Sequence, residues 1–213
     1  MKAPGCSFWL GVVGCLLLPV TVVAAEHSAE ARIVVLGDSL SAGYGLPAAE
    51  AFPAQLEQAL RQSGQAVRVI NAGVSGDTTA GGLARLDWAL AERPQLVIVQ
   101  LGANDALRGL DPEQARANLD AILTRLKREE TQILLAGMRA PRNLGPAYYT
   151  KFDRIYSDLA KKHQIALDPF FLEGVALRPE LNQADGLHPN AQGVAIVVRR
   201  LLPQVRELLA GRP

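Results

Sequence analysis

The chain has 213 residues, 49% of them hydrophobic and 20% charged, with 22 basic against 21 acidic side chains. That balance suits a soluble globular protein and excludes both the basic surplus of a nucleic-acid binder and the acidic run of a solvating tail. Its two cysteines, Cys6 and Cys15, both fall in the first 25 residues.

Those residues read as a leader. Lys2 is followed by an uncharged stretch over residues 8–25, which ends in Val23-Ala24-Ala25 before Glu26. A positive start, an apolar middle and a small-residue exit mark a secretory signal peptide. The stretch is long enough to anchor in a bilayer, but Pro19, Thr21 and the exit favour cleavage. Val12-Val13-Gly14-Cys15 bears a faint likeness to a lipoprotein attachment box, yet the apolar run continues past Cys15. The expected organisation is therefore a signal peptide over 1–25 and one domain over 26–213, periplasmic or secreted. That domain is expected to be a monomer without stable membrane insertion. It has no cysteine to serve as nucleophile, metal ligand or disulfide partner.

Arg32-Ile33-Val34-Val35-Leu36 is a short apolar, β-branched run, expected to be a buried strand of a parallel sheet. It stops at Gly37-Asp38-Ser39-Leu40, where Ser41, Gly43 and Gly45 keep the backbone loose. A helix is expected over 52–62 and a second strand over 67–71. After that strand comes the loop Ala72-Gly73-Val74-Ser75-Gly76-Asp77, and Thr78 or Thr79 is placed to cap a helix to about residue 92. A third strand over 96–101 is followed by Gly102-Ala103-Asn104-Asp105. Asp111 and Pro112 open the next helix, with Leu119, Ile122, Leu123 and Leu126 as its apolar stripe. A fourth strand is expected over 133–137, a helix over about 148–163, a short fifth strand over 165–167 and a long irregular connection over 168–183. Asn190 caps a last helix over about 191–209. Strands alternating with helices predict an α/β, three-layer, doubly wound, flavodoxin-like five-stranded parallel sheet.

The chemistry-bearing residues gather just past strand ends, where open α/β sheets place their ligands. Ser39 needs a base to take its proton. Of the three histidines, His27 is near the start and His163 ends a helix beside Lys161 and Lys162, where a solvated cap is expected. His188 stands in Asp185-Gly186-Leu187-His188-Pro189. An acidic residue three positions before a histidine can fold back onto the imidazole and fix its tautomer. An oxyanion would need donors, for which the Ser39 N–H, the Gly73 N–H and the Asn104 side chain are candidates. Taken singly, each block is compatible with an ordinary turn.

Together the four blocks resemble those of the SGNH, or GDSL, hydrolases: Gly37-Asp38-Ser39-Leu40-Ser41, Asn71-Ala72-Gly73-Val74-Ser75-Gly76-Asp77-Thr78, Gly102-Ala103-Asn104-Asp105 and Asp185-Gly186-Leu187-His188-Pro189. The resemblance covers nearly all of residues 26–213. It implies Ser39 as nucleophile, His188 as base, Asp185 as its partner, and an oxyanion hole from Ser39, Gly73 and Asn104, with no cofactor and no metal. The stretches 75–82 and 170–174 are similar to the exported bacterial thioesterase, lysophospholipase and arylesterase branch, which implies a small acyl ester or thioester as substrate. A carbohydrate O-deacetylase of the same fold is an alternative, although Phe170, Phe171 and Leu172 are apolar and suit acyl chains. A non-catalytic flavodoxin-like binding module is another. Against that module, the chain lacks a Gly-x-Gly-x-x-Gly fingerprint and a phosphate loop. It also lacks the Gly-x-Ser-x-Gly elbow of the main α/β-hydrolase fold.

Overall fold

The computed structural model describes residues 30–211, together with residues 1, 2 and 5. Nearly all of the expected leader, its cleavage exit and His27 lie outside the described residues. No helix among the described residues is long and apolar enough to cross a membrane.

The elements run in the expected alternation. Strand β1 (Ala31–Gly37) leads into a helical turn, α1 (Ser39–Ala42), and then α2 (Phe52–Gln62). Strand β2 (Val67–Gly73) is followed by α3 (Thr79–Ala84) and α4 (Leu86–Leu90). Strand β3 (Leu96–Gln100) is followed by α5 (Ala103–Leu107) and α6 (Pro112–Arg128). Strand β4 (Gln132–Ala136) precedes α7 (Pro146–His163), and β5 (Ala166–Asp168) precedes α8 (Ala191–Ala210).

All five strands are parallel, in the order β2-β1-β3-β4-β5. The continuous Val/Ile/Leu runs of β1 and β3 are buried because helices cover both faces of the sheet. This is the doubly wound, three-layer α/β architecture expected from the alternation. From β1 the chain moves outward to β2, then returns to the other side of β1 with β3. The switch point, where a crevice opens at the carboxyl ends of the strands, thus lies at β1. The register sets three strand ends level there: Gly37 stands opposite Gly73 on one side and Gln100 on the other.

Caps form where the sequence places them. The Asp111 carboxylate accepts from Glu113 N at 3.0 Å, and the Asn190 side chain accepts from Gln192 N and Gly193 N, each at 3.0 Å. The stripe Leu119, Ile122, Leu123 and Leu126 is buried.

Four expectations are corrected. The stretch after Gly37 is a capped helical turn rather than a loose loop: Asp38 Oδ1 accepts from Leu40 N at 3.0 Å. The helix expected from 78 or 79 to 92 breaks at Arg85 (φ −107°, ψ 11°) into α3 and α4. At the break the Arg85 side chain turns inward to main-chain carbonyls at the strand ends. His163 is not a solvated cap. Its Nε2 lies 2.6 Å from Asp120 Oδ1 and its side chain is only 10% exposed. Lys162 binds the same carboxylate at 2.6 Å. Its hydrogen bond, with that of His163, holds Asp120 below the usual carboxylate range and ties α6 to α7. The fifth strand begins one residue later than expected, because Ile165 N still bonds Ala160 O at the end of α7.

The connection after β5 is fixed rather than free. Arg200 of α8 pairs with the buried Asp168 carboxylate and donates to Phe170 O at 3.2 Å and Phe171 O at 2.8 Å. Phe171 points into the core, edge-on to Phe52 with ring centroids 5.1 Å apart. Phe170 and Leu172 are left to face the crevice.

Candidate active site

The site begins with Ser39, the first residue of α1. Gly37 must lack a side chain because a Cβ there would strike Ser41 and Gln100. The Asp38 cap then turns the chain, and Gly43, at φ +82°, ends the turn in the left-handed region that glycine adopts without strain. Ser39 Oγ lies 2.9 Å from His188 Nε2, although 149 residues separate the two. His188 Nδ1 lies 2.7 Å from Asp185 Oδ2. The other carboxylate oxygen, Oδ1, accepts from Leu187 N at 2.9 Å and His188 N at 3.0 Å. These two backbone hydrogen bonds, followed by the imidazole, hold Asp185 down at about 2. An ionised carboxylate only accepts, so the imidazole proton sits on Nδ1 and Nε2 is free to accept from Ser39.

The loop bearing His188 is held on both sides. Gln183 N donates to His188 O at 2.7 Å, and Asn182 bridges to Pro189 across a short antiparallel contact. The Tyr44 ring covers the imidazole at 4.7 Å between centroids.

Of the three expected oxyanion donors, two face the cleft. The Ser39 N–H makes no hydrogen bond among the described residues. The Asn104 side chain, in the first turn of α5, donates to Asp77 O at 2.9 Å, which fixes the amide plane. Ser39, Asn104 and His188 all line the same cavity. Gly73 is different. Its N–H donates to Asn71 Oδ1 at 2.9 Å, and it does not line the cavity. Its missing side chain is required by α1, since a Cβ would collide with the backbone of Ser41 and Ala42. Close packing of the protein's own chain, rather than approach of a substrate, thus explains the glycine.

The cavity measures about 760 Å³, and Leu107, Met138, Phe170, Leu172 and Leu177 make much of its wall apolar. Arg139 lies over the Phe170 ring, 4.5 Å from its centroid, and forms part of the same wall. A cleft of this size and lining suits a small, largely apolar ligand with one polar reacting group.

Sequence reasoning missed two neighbours of Ser39. Gln100, fully buried at the end of β3, accepts from Ser41 Oγ at 2.7 Å and underpins the turn. Its only sequence signal is a polar residue ending an apolar strand. Asp38 is fully buried, and its Oδ2 has no hydrogen-bond partner among the described residues. Burial raises this carboxyl to about 6, against the Leu40 and Gln100 hydrogen bonds that lower it. An unfolded aspartate titrates near 3.9. Between about pH 4 and 6 the folded protein therefore keeps a proton that the unfolded chain has released. This contribution makes stability fall as pH rises through that window. The Asp38→Asn variant is expected to lack it, so its melting temperature should gain on wild type steadily from pH 4 to pH 7. A difference between the two proteins that stays constant across that range would refute the assignment.

A model of the GDSL-like lipase/acylhydrolase family matches residues 35–196. The chain is 41% identical to the esterase TesA of Pseudomonas aeruginosa, over 92% of this chain and 96% of that protein. It is 40% identical to thioesterase 1/protease 1/lysophospholipase L1 of Escherichia coli strain K12, over 83% of this chain and 84% of the relative. Among solved structures, that of AlinE4, an SGNH-hydrolase family esterase, is 52% identical with a TM-score of 0.71, covering 84% of this chain and 97% of the other.

Proposed function

Because this chain belongs to the GDSL-like lipase/acylhydrolase family and is a carboxylic ester hydrolase, we propose that Ser39, His188 and Asp185 are its catalytic triad and that it works through an acyl-enzyme. The observation that carries this reading is the unbroken line from Ser39 Oγ to His188 at 2.9 Å and from His188 to Asp185 at 2.7 Å. His188 Nε2 takes the Ser39 proton as Oγ attacks the acyl carbonyl. The imidazolium that forms is stabilised by Asp185, which keeps its charge throughout. His188 then protonates the leaving alcohol or thiol. Water, deprotonated by the same imidazole, attacks the ester of Ser39 and frees the acid.

The carbonyl oxygen, negative in the tetrahedral intermediate, rests against the Ser39 N–H and the free N–H of the Asn104 amide. The acyl part lies along Leu107, Met138, Phe170 and Leu172. Arylesters, thioesters and lysophospholipids share this acyl carbonyl, and the open cleft accommodates different leaving groups. Residues 26–213 constitute the hydrolase domain in this reading.

Reaction with a fluorophosphonate tests the assignment: one covalent adduct on Ser39, with parallel loss of p-nitrophenyl ester hydrolysis, is expected. Adduct formation at another residue would defeat it. The Asn104→Ala variant is expected to lose about 10²–10³ in kcat with KM nearly unchanged, because its donor is used chiefly when charge develops on oxygen. Steady-state kinetics with thermal melts decide the point. A folded variant with wild-type kcat, or one that only melts earlier, would remove Asn104 from the oxyanion hole.

A further inference from the structure

Arg85 stands beneath the oxyanion donors and does not line the cleft. Its side chain is 19% exposed, and its guanidinium spends donors on three segments at once. Nη1 donates to Ala72 O at 2.6 Å, Nη2 to Gly37 O at 2.8 Å and Nε to Asp77 Oδ2 at 2.7 Å. Each acceptor is one step from the oxyanion machinery. The Ala72 carbonyl lies at the end of β2, beside Gly73, which packs against the backbone of Ser41 and Ala42 in the turn that carries Ser39. The Gly37 carbonyl belongs to the peptide that enters Asp38, the cap that orients Ser39. Asp77 supplies the main-chain oxygen to which the Asn104 amide is anchored at 2.9 Å.

We propose that Arg85 is the positioning residue of the oxyanion hole, aligning the Ser39 and Asn104 donors through Gly37 and Asp77; this rests on Ser39 being the nucleophile. The geometry demands arginine. Only a planar fork carries donors in three fixed directions, whereas a lysine is a single charge on a flexible stem. Position rather than charge is what Arg85 supplies, because Asp77 neutralises it within the ion pair. The break between α3 and α4 at Arg85 directs this fork at the strand ends. Gly81 lets α3 close over Asp77, since a Cβ there would overlap the Asp77 carboxylate.

The test compares Arg85→Gln and Arg85→Lys with wild type, alone and combined with Asn104→Ala, by p-nitrophenyl ester kinetics and thermal melts. A donor displaced by about 1 Å costs on the order of 10²-fold in rate. Arg85→Gln should lose about that much kcat with KM within roughly twofold, and Arg85→Lys about tenfold. The double variant with Asn104→Ala should be little worse than the poorer single one, since both changes disable one device. Guanidinium ion added to Arg85→Ala should restore part of kcat. Losses that multiply, or folded Arg85 variants with wild-type kcat, would overturn the proposal. If Arg85→Gln fails to fold, an unchanged kcat in Arg85→Lys, or absence of guanidinium rescue, overturns it equally. A Ser39→Ala control separates the two readings. If it retains activity, the nucleophile assignment has failed. If it is inactive while the Arg85 variants keep full kcat, only the inference about Arg85 has failed.

Discussion

The Ser39→Ala and His188→Ala variants are each expected to lose about 10⁶ in kcat, and combining them should cost little more. Nucleophile and base act as one unit: without Oγ there is nothing to acylate, and without Nε2 the hydroxyl keeps its proton. Hydrolysis about 10³–10⁴ above the uncatalysed rate should remain, because the Asn104 amide and the apolar cleft survive either change. Neither substitution should unfold the protein. Ser39 sits at the crevice surface, and the Asp38 cap holds the helical turn without the hydroxyl. Turnover of a p-nitrophenyl ester, followed together with circular dichroism, gives the answer. A folded Ser39→Ala protein with near wild-type turnover would end the triad reading.

The Asp185→Asn variant is expected to lose about 10⁴ in kcat while remaining folded. The reason lies in how the carboxylate is shared. Oδ1 serves the N–H groups of Leu187 and His188, while Oδ2 serves the imidazole. An asparagine has one acceptor oxygen, which the two backbone donors will claim. Its NH₂ group then faces Nδ1, which must become the acceptor. The imidazole is forced into the tautomer protonated at Nε2, and that nitrogen can no longer take the Ser39 proton. The carboxylate's hold at about 2 implies that wild-type activity survives mild acid as far as Asp185 is concerned. Comparing pH–rate profiles of wild type and Asp185→Asn checks this. Equal and small effects on kcat from Asp185→Asn and His188→Ala would show that the pairing has no catalytic role.

These expectations concern residues already visible in the chain as a string, and their visibility has a physical cause. Strand cores such as Val34-Val35-Leu36 are written in short apolar runs because helices must cover both faces of a parallel sheet. Asp111-Pro112 and Asn190 announce helix starts because the orphan N–H groups are satisfied locally. Asp185 and His188 are legible together because their contact spans only three residues, within one turn. So the alternation of strands and helices, the places where they end, and the chemically active groups at those ends follow from local rules.

What the fold alone decides involves partners distant in sequence. That Ser39 meets His188 depends on α8 packing against α2 and on the loop before α8 reaching over the carboxyl end of β1. Phe170, Phe171 and Leu172 are equally apolar, and only tertiary partners, Arg200 and Gly137 on the backbone and Phe52 against the ring, set Phe171 into the core while its neighbours face the cleft. His163 finds Asp120 across α6, 43 positions away. Arg85 reads as one more polar residue on a helix, but the strand ends offer its side chain two carbonyls and a carboxylate, and the helix breaks there. A local sequence can specify a cap or a turn because donor and acceptor lie a few bonds apart. The approach of the Ser39 turn and the Asn104 side chain to one cleft, from the ends of β1 and β3, has no local carrier, and it exists only once the sheet sets those ends level.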